Sequence, residues 1–251
     1  MNIRKEIKKN TGAFLKENLS KTVFAFFVRI SFLLFFILAN YALNLIFLDP
    51  RSFGFSIITV YIGLGLFVLQ ILVTLPIKTG IKNWFFLYVD SDKKNNMFKF
   101  YDPKLYFSAL WLNIKNAAKL LLLFCVINLP LAAFLYYDYF YLKIEPGLLK
   151  DIVYIITAFY LFASLIAVYV FSLRYFLCPY LLWGFNFKTT TEVIKASKKC
   201  MKGNKLGLLA LYVSMIPSYI SWLFVIPAAY TYPYVNTVKS IYARYLYHKG
   251  D

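Results

Sequence analysis

Acidic side chains, histidine and cysteine are all scarce in this 251-residue chain. Asp and Glu number 11 against 28 Lys and Arg, so the formal net charge is +17. The only histidine is His248, and the three cysteines, Cys125, Cys178 and Cys200, stand far apart. That spacing fits no metal site, and an odd number argues against a disulfide framework. A histidine-based catalytic triad has nothing to be built from, and no glycine-rich phosphate loop occurs. The chain is therefore expected to be neither an enzyme nor the holder of a metal or cofactor. Charged residues make up 16% of the chain, well below the roughly 25% of soluble domains.

What is abundant is apolar: 61% hydrophobic and 21% aromatic residues, with a mean hydropathy of +0.63. Basicity alone would suggest nucleic acid, but combined with this hydrophobicity it points to a membrane. A bilayer core requires roughly 20 apolar residues per helix. Nearly uncharged runs at 22–48, 53–77, 120–142 and 152–183 meet that length. The first is too long for a signal-peptide core, and no small-residue cleavage pattern follows it. A last run, Leu206 to Val238, is too long for one span and short for two. Pro217, Pro227 and Pro233 interrupt it. A turn at Ala228–Pro233 would divide it into spans 206–225 and 231–247. The expected fold is thus all-α: a polytopic helical membrane protein of one domain, about six transmembrane helices in three hairpins.

Charge placement supports an even number of crossings. Of the 28 basic residues, 23 fall in the N-terminal arm, in 78–119, in 188–205 and in the tail. Only Arg51, Lys143 and Lys150 lie in the intervening turns. By the positive-inside rule both termini are cytoplasmic. Abundant Lys, Asn, Ile and Phe suggest an AT-rich bacterial genome, hence a multi-pass protein of the bacterial cell (cytoplasmic) membrane. Aromatic residues at Tyr136–Tyr141 and at Tyr230, Tyr232 and Tyr234 would form an outer interfacial belt. Trp84, Trp111 and Trp183 would form the inner one.

Three spans are preceded by basic, half-apolar segments, 3–21, 103–119 and 189–205. Each is expected to be an amphipathic helix lying in the cytoplasmic headgroup region and attracting anionic lipids. In the third, Thr189 and Glu192 have capping-box spacing. Val193, Ile194, Ser197, Cys200 and Met201 would share one face. Lys195, Lys198, Lys199, Lys202 and Lys205 are the candidate interfacial lipid contacts. Ionisable residues inside spans are functional candidates because they are costly there. Two qualify, Arg29 and Arg174, whose forked donors suit an anionic headgroup or phosphate. Asn40, Thr74, Asn128 and Ser164 are expected to bond between helices.

The stretch from Glu192 to Lys205, with Ala196-Ser197-Lys198 and Met201-Lys202-Gly203-Asn204-Lys205 before a span, resembles the signature of the family called domain of unknown function 975. Ser214, Trp222, Pro233-Tyr234 and Tyr242 fit the same pattern, so the resemblance covers about 60 residues. Ile226-Pro227-Ala228-Ala229 replaces the Gly-Ile-Gly turn that this family carries before its last span. The resemblance implies a multi-span bacterial membrane protein and brings no activity. Three functions then stand open. The first is a non-catalytic accessory, immunity or membrane-organising component acting through the lipid bilayer, anionic lipids or a membrane protein partner. The second is a carrier or exporter for a small, lipidic or anionic substrate. The third is a lipid-modifying enzyme using outer (Asp138, Glu145, Asp151) or inner (Asp90, Asp92, Asp102) carboxylates. No nucleic-acid partner is expected.

Overall fold

The computed structural model describes residues 3–47, 57–89, 102–138, 147–182 and 189–250. Every regular element among them is helical. Four long helices come first: α1 (Ile3–Phe47), α2 (Ile57–Tyr88), α3 (Pro103–Tyr137) and α4 (Leu148–Ser172). A 3₁₀ turn at Leu173–Tyr175 leads into the short α5 (Cys178–Leu181). The last third holds α6 (Thr190–Met201), α7 (Lys205–Ser214), α8 (Ile216–Ile220), a second 3₁₀ turn at Ser221–Leu223, and α9 (Val225–Gly250).

Hydrophobicity is sorted along the long helices. Away from their basic segments α1 and α2 expose Leu34, Phe35, Leu38, Val60, Tyr61 and Phe67, and α3 and α4 expose Leu121, Leu122, Leu129, Ile156, Phe159 and Phe162. Such a continuous apolar surface is tolerated in lipid and not in water. Four helices are long and apolar enough to cross a membrane. The α7–α8 pair, bent by 56°, is a further candidate as one broken span or a re-entrant segment. These helices make the chain a multi-pass membrane protein.

The packed core lies at the other end, where the basic residues gather. Ile7 of α1, Phe86 of α2, Ala109 and Leu112 of α3 and the buried run Leu177–Leu182 meet Val193, Met201, Leu208 and Leu246 there. A second cluster joins Ala25 and Phe26 of α1 to Ile81, Trp84 and Phe85 of α2 and Tyr232 of α9. α9 packs against α1, α2 and α6, and α3 packs against α2 and α4. Hydrogen bonds from α2 and its neighbours lock this end. Asn83 Nδ2 donates to the Tyr180 carbonyl (2.9 Å), Asn113 Nδ2 to Thr79 Oγ1 (2.9 Å), and Tyr88 OH to Asn18 Oδ1 (2.7 Å). Gly207 of α7 leaves room for the end of the Tyr242 side chain of α9. A Cβ built there would come within 2.6 Å of the Tyr242 hydroxyl oxygen.

Several sequence expectations are revised. The segment 103–119 is not a separate surface helix: α3 runs unbroken for 35 residues from a cap in which Asp102 accepts from the Lys104 amide. α1 is kinked at Asn18, whose backbone is non-helical (φ −123°, ψ 19°), so the basic N-terminal helix is set off from the apolar part that follows, three residues before the expected boundary. Segment 189–205 does hold a separate helix, α6, capped by Thr189 Oγ1, which accepts from the Glu192 amide (3.3 Å). Its face of Val193, Ile194, Ser197, Cys200 and Met201 is buried as expected, but against protein rather than lipid.

The division of the last run also differs. Residues 228–233 lie inside α9, and the bend falls at Phe224, whose backbone is extended (φ −115°, ψ 130°). Pro227 sits in the first helical turn, where its missing N–H leaves no bond unmade. Proline therefore starts the helix here instead of stopping it. α9 is not one of the helices that are long and apolar enough to span. Trp84 and Tyr232, expected in interfacial belts, are buried, whereas Trp111, Tyr136 and Tyr137 are exposed. Tyr139–Tyr141 and Trp183 lie outside the described residues, as do Asp90, Asp92 and Glu145. Asn40, Thr74, Asn128 and Ser164 donate to carbonyls three or four residues back in their own helices, whereas Ser221, likewise a polar residue of the fifth expected span, does reach across to Thr231 Oγ1 of α9 (2.8 Å).

Candidate functional site

The 3₁₀ turn after α4 determines where Arg174 goes. Sequence alone places it in a span ending near Trp183, and the helical path from Lys150 does continue through this turn to Leu181. In the structure it sits in the 3₁₀ turn beyond Ser172, beside α6. The Arg174 carbonyl accepts a hydrogen bond from Ser197 Oγ (2.8 Å), which ties the turn to α6. The guanidinium stacks over the Phe171 ring at 4.3 Å.

The turn from α6 into α7 then brings lysines to the same place. Lys202 ends α6 with an extended backbone, and Gly203 follows at φ +80°. Glycine alone adopts that conformation without strain. Asn204 Nδ2 donates back to the Cys200 carbonyl (2.8 Å) and fixes the exit. The outcome is an open pocket of about 510 Å³ lined by Arg174, Lys198, Met201, Lys202, Gly203 and Lys205. Lys198 reaches over the Tyr175 ring at 5.6 Å. The lining holds four cations and no carboxylate. Lys195 and Lys199 are exposed on α6 and take no part in this lining.

Arg29 lies elsewhere. Its guanidinium is 5.2 Å from the Tyr232 ring centre, in a narrow pocket of about 250 Å³ with Phe26, Ile30, Trp222 and Ala228. The two arginines singled out from sequence thus belong to different pockets.

A third cavity was not anticipated. It is an open pocket of about 680 Å³ between α2, α3, α4, α7, α8 and α9, with Lys82, Lys239, Asn113, Tyr169, Tyr212 and Tyr219 in its wall. Lys239 Nζ lies 5.2 Å from the ring centres of both Tyr212 and Tyr219. The sequence did hold a signal. Tyr212 and Tyr219 are seven residues apart, the spacing of one helical face, although the 56° bend between α7 and α8 puts them on separate helices. Lys78 and Lys82 are four apart on a helix that Pro76 does not end.

Both larger pockets can attract an anion. Among the described residues, no group of three His, Cys, Asp or Glu could hold a metal. The exposed Asp102 caps α3 and is directed to its own helix start, and Asp151 lies in the first turn of α4. Comparison with family models, with curated proteins and with solved structures finds no match for the chain.

Proposed function

We propose that this protein is a non-catalytic component of a bacterial cytoplasmic membrane that holds anionic lipid on its basic face. The observation that carries this reading is the convergence of Arg174 with Lys198, Lys202 and Lys205 around one open pocket at the base of four lipid-ready helices. Anionic headgroups attract such a cluster at about 1 kcal/mol per basic residue near the surface. The Arg174 fork adds directed donors for phosphate oxygens. Both chain ends would then be cytoplasmic, in agreement with the sorting of basic residues. The six-crossing arrangement in three hairpins would have α7–α8 rise into the bilayer and α9 return. A place in the domain of unknown function 975 family rests on the stretch Glu192–Lys205, which forms α6 and its turn.

The test is lipid retention. Protein extracted from phosphatidylglycerol-containing membranes in mild detergent should retain that lipid over phosphatidylethanolamine, read by native mass spectrometry. The variant K198Q/K202Q should weaken retention by about 2 kcal/mol, roughly thirtyfold. Equal lipid content in the variant and the unaltered protein would end this reading.

A further inference from the structure

The 680 Å³ cavity is chemically unlike the headgroup pocket. Its two ammonium groups, Lys82 and Lys239, are half-buried and repel each other. Arg29 and Lys78 add to the repulsion on Lys239. Lys82 and Lys239 form no ion pair or hydrogen bond with any described residue, and no carboxylate lines the wall. Withdrawing charged groups from water without a partner is costly unless something compensates them. Self-repulsion between cations at one cavity, with nothing of opposite sign built in, is the arrangement an anionic ligand would relieve.

The rest of the wall defines that ligand further. The phenols of Tyr169, Tyr212 and Tyr219 are hydrogen-bond donors near the lysines. Leu173, Phe176 and Leu209 supply apolar walls. The hydroxyl of Tyr180, buried and without a hydrogen-bond partner, lies within electrostatic reach of Tyr212 and Tyr219. Tyr169, Val213 and Ile216 line the cavity and are also exposed, on α4, α7 and α8. The cavity therefore opens on the apolar flank of the molecule, which suits a ligand arriving from the bilayer. A volume of this size is typical of small-molecule sites.

We propose that this cavity binds an amphiphilic phosphate monoester, its headgroup between Lys82 and Lys239 and its apolar body along Leu173, Phe176 and Leu209. A phosphate monoester carries nearly two negative charges at neutral pH, which matches two lysines better than a single carboxylate does. The site is separate from the Arg174 pocket and stands or falls independently of it.

Acetylation footprinting of the purified full chain tests the assignment, with dodecyl phosphate as the probe. At ten times its dissociation constant, an occupant leaves about a tenth of the sites free, so acetylation of Lys82 and Lys239 should slow about tenfold. The exposed Lys195 and Lys199 serve as internal references and should be unaffected. Dodecyltrimethylammonium, with the same tail and the opposite charge, should give no protection. Inorganic phosphate at the same concentration should give none either, and equal protection by it would overturn the amphiphile assignment in favour of a free anion. In a parallel arm, dodecyl phosphate should raise the melting temperature of K198Q/K202Q, in which the headgroup pocket is weakened, but not of the quadruple variant K82Q/K198Q/K202Q/K239Q. Unprotected lysines, or protection spread evenly over Lys195 and Lys199, would refute the site even if the quadruple variant failed to fold.

Discussion

Gly203 shows how one residue without a side chain can set the position of several that have one. At φ +80° it reverses the chain between α6 and α7, and so places Lys202 and Lys205 on either side of a turn facing Arg174. No heavy atom lies within 4 Å of the position a Cβ would take, so the constraint is purely one of backbone conformation. Gly203→Ala should therefore cost about 1–2 kcal/mol, the penalty of a left-handed L-residue, read as a lower midpoint in thermal unfolding in detergent. Gly203→Asn should cost less, because asparagine tolerates this region. An alanine variant as stable as the unaltered protein would show that the turn relaxes elsewhere. Arg29 and Arg174 teach the complementary lesson. Both read from sequence as lone charges about equally deep in apolar runs, yet one lies against Tyr232 and the other beside three lysines. Sequence could name these arginines because charge in an apolar run is costly wherever it falls. It could not name their partners, which depend on how α4 tightens into the 3₁₀ turn at Leu173–Tyr175 ahead of Pro179.

At the level of elements, hydrophobic length was the legible quantity and packing was not. The four long helices follow directly from runs that exceed a bilayer's thickness. α3 starts 17 residues before its apolar run, because residues 103–119 contain nothing to stop a helix, whereas α1 is kinked at Asn18 between its basic start and its apolar run. α6 was legible in full: its cap, its buried face and its lysines all follow from helical period and capping chemistry. α9 was the least legible. Its residues are too polar for a span and too apolar for a surface helix, and the reason is that α1 and α2 cover it. Arg244 holds it there. Its Nε donates to the Phe86 carbonyl at 2.7 Å, and its Nη2 donates to the same oxygen. The guanidinium also stacks on the Phe86 ring at 5.0 Å. Arg244→Ala should destabilise the fold by about 1.5–3 kcal/mol, the range for a hydrogen bond to a charged group. Arg244→Lys should recover only part of it, since an ammonium cannot reproduce the forked contact. Limited proteolysis of the chain from residue 250 inward should rise in the same order, and an unchanged digestion pattern for Arg244→Ala would show that apolar packing alone docks α9.

For the whole molecule, the decisive relation is between the two chain ends. Ile7 near the start of α1 and Leu246 near the end of α9 belong to one buried cluster. Lys8 Nζ donates to the Ser214 carbonyl (3.3 Å), and Lys249 Nζ donates to Asn204 Oδ1 (3.3 Å). α1 and α9 run in opposite directions along their contact, since Phe26 meets Tyr232 while Ile7 joins the cluster of Leu246. However far the bend at Phe224 reaches into the bilayer, α9 brings the chain back to the level it left. On the proposed reading, with both ends on the basic face, the number of complete crossings would be even, four or six, although the α7–α8 pair alone would make a fifth. An odd count would carry residue 250 to the opposite face and pull Leu246 and Tyr242 out of the core. Protease-cleavable tags fused before residue 3 and after residue 250 should accordingly be cut together in inverted membrane vesicles. Both should be protected in intact spheroplasts. A tag inserted after Asp138, at the far end of the roughly 52 Å long α3, should show the reverse pattern. Tags at 3 and 250 reporting opposite faces would separate α1 from α9. That would remove the packed base from which the Arg174 pocket and the lysine–tyrosine cavity are both built.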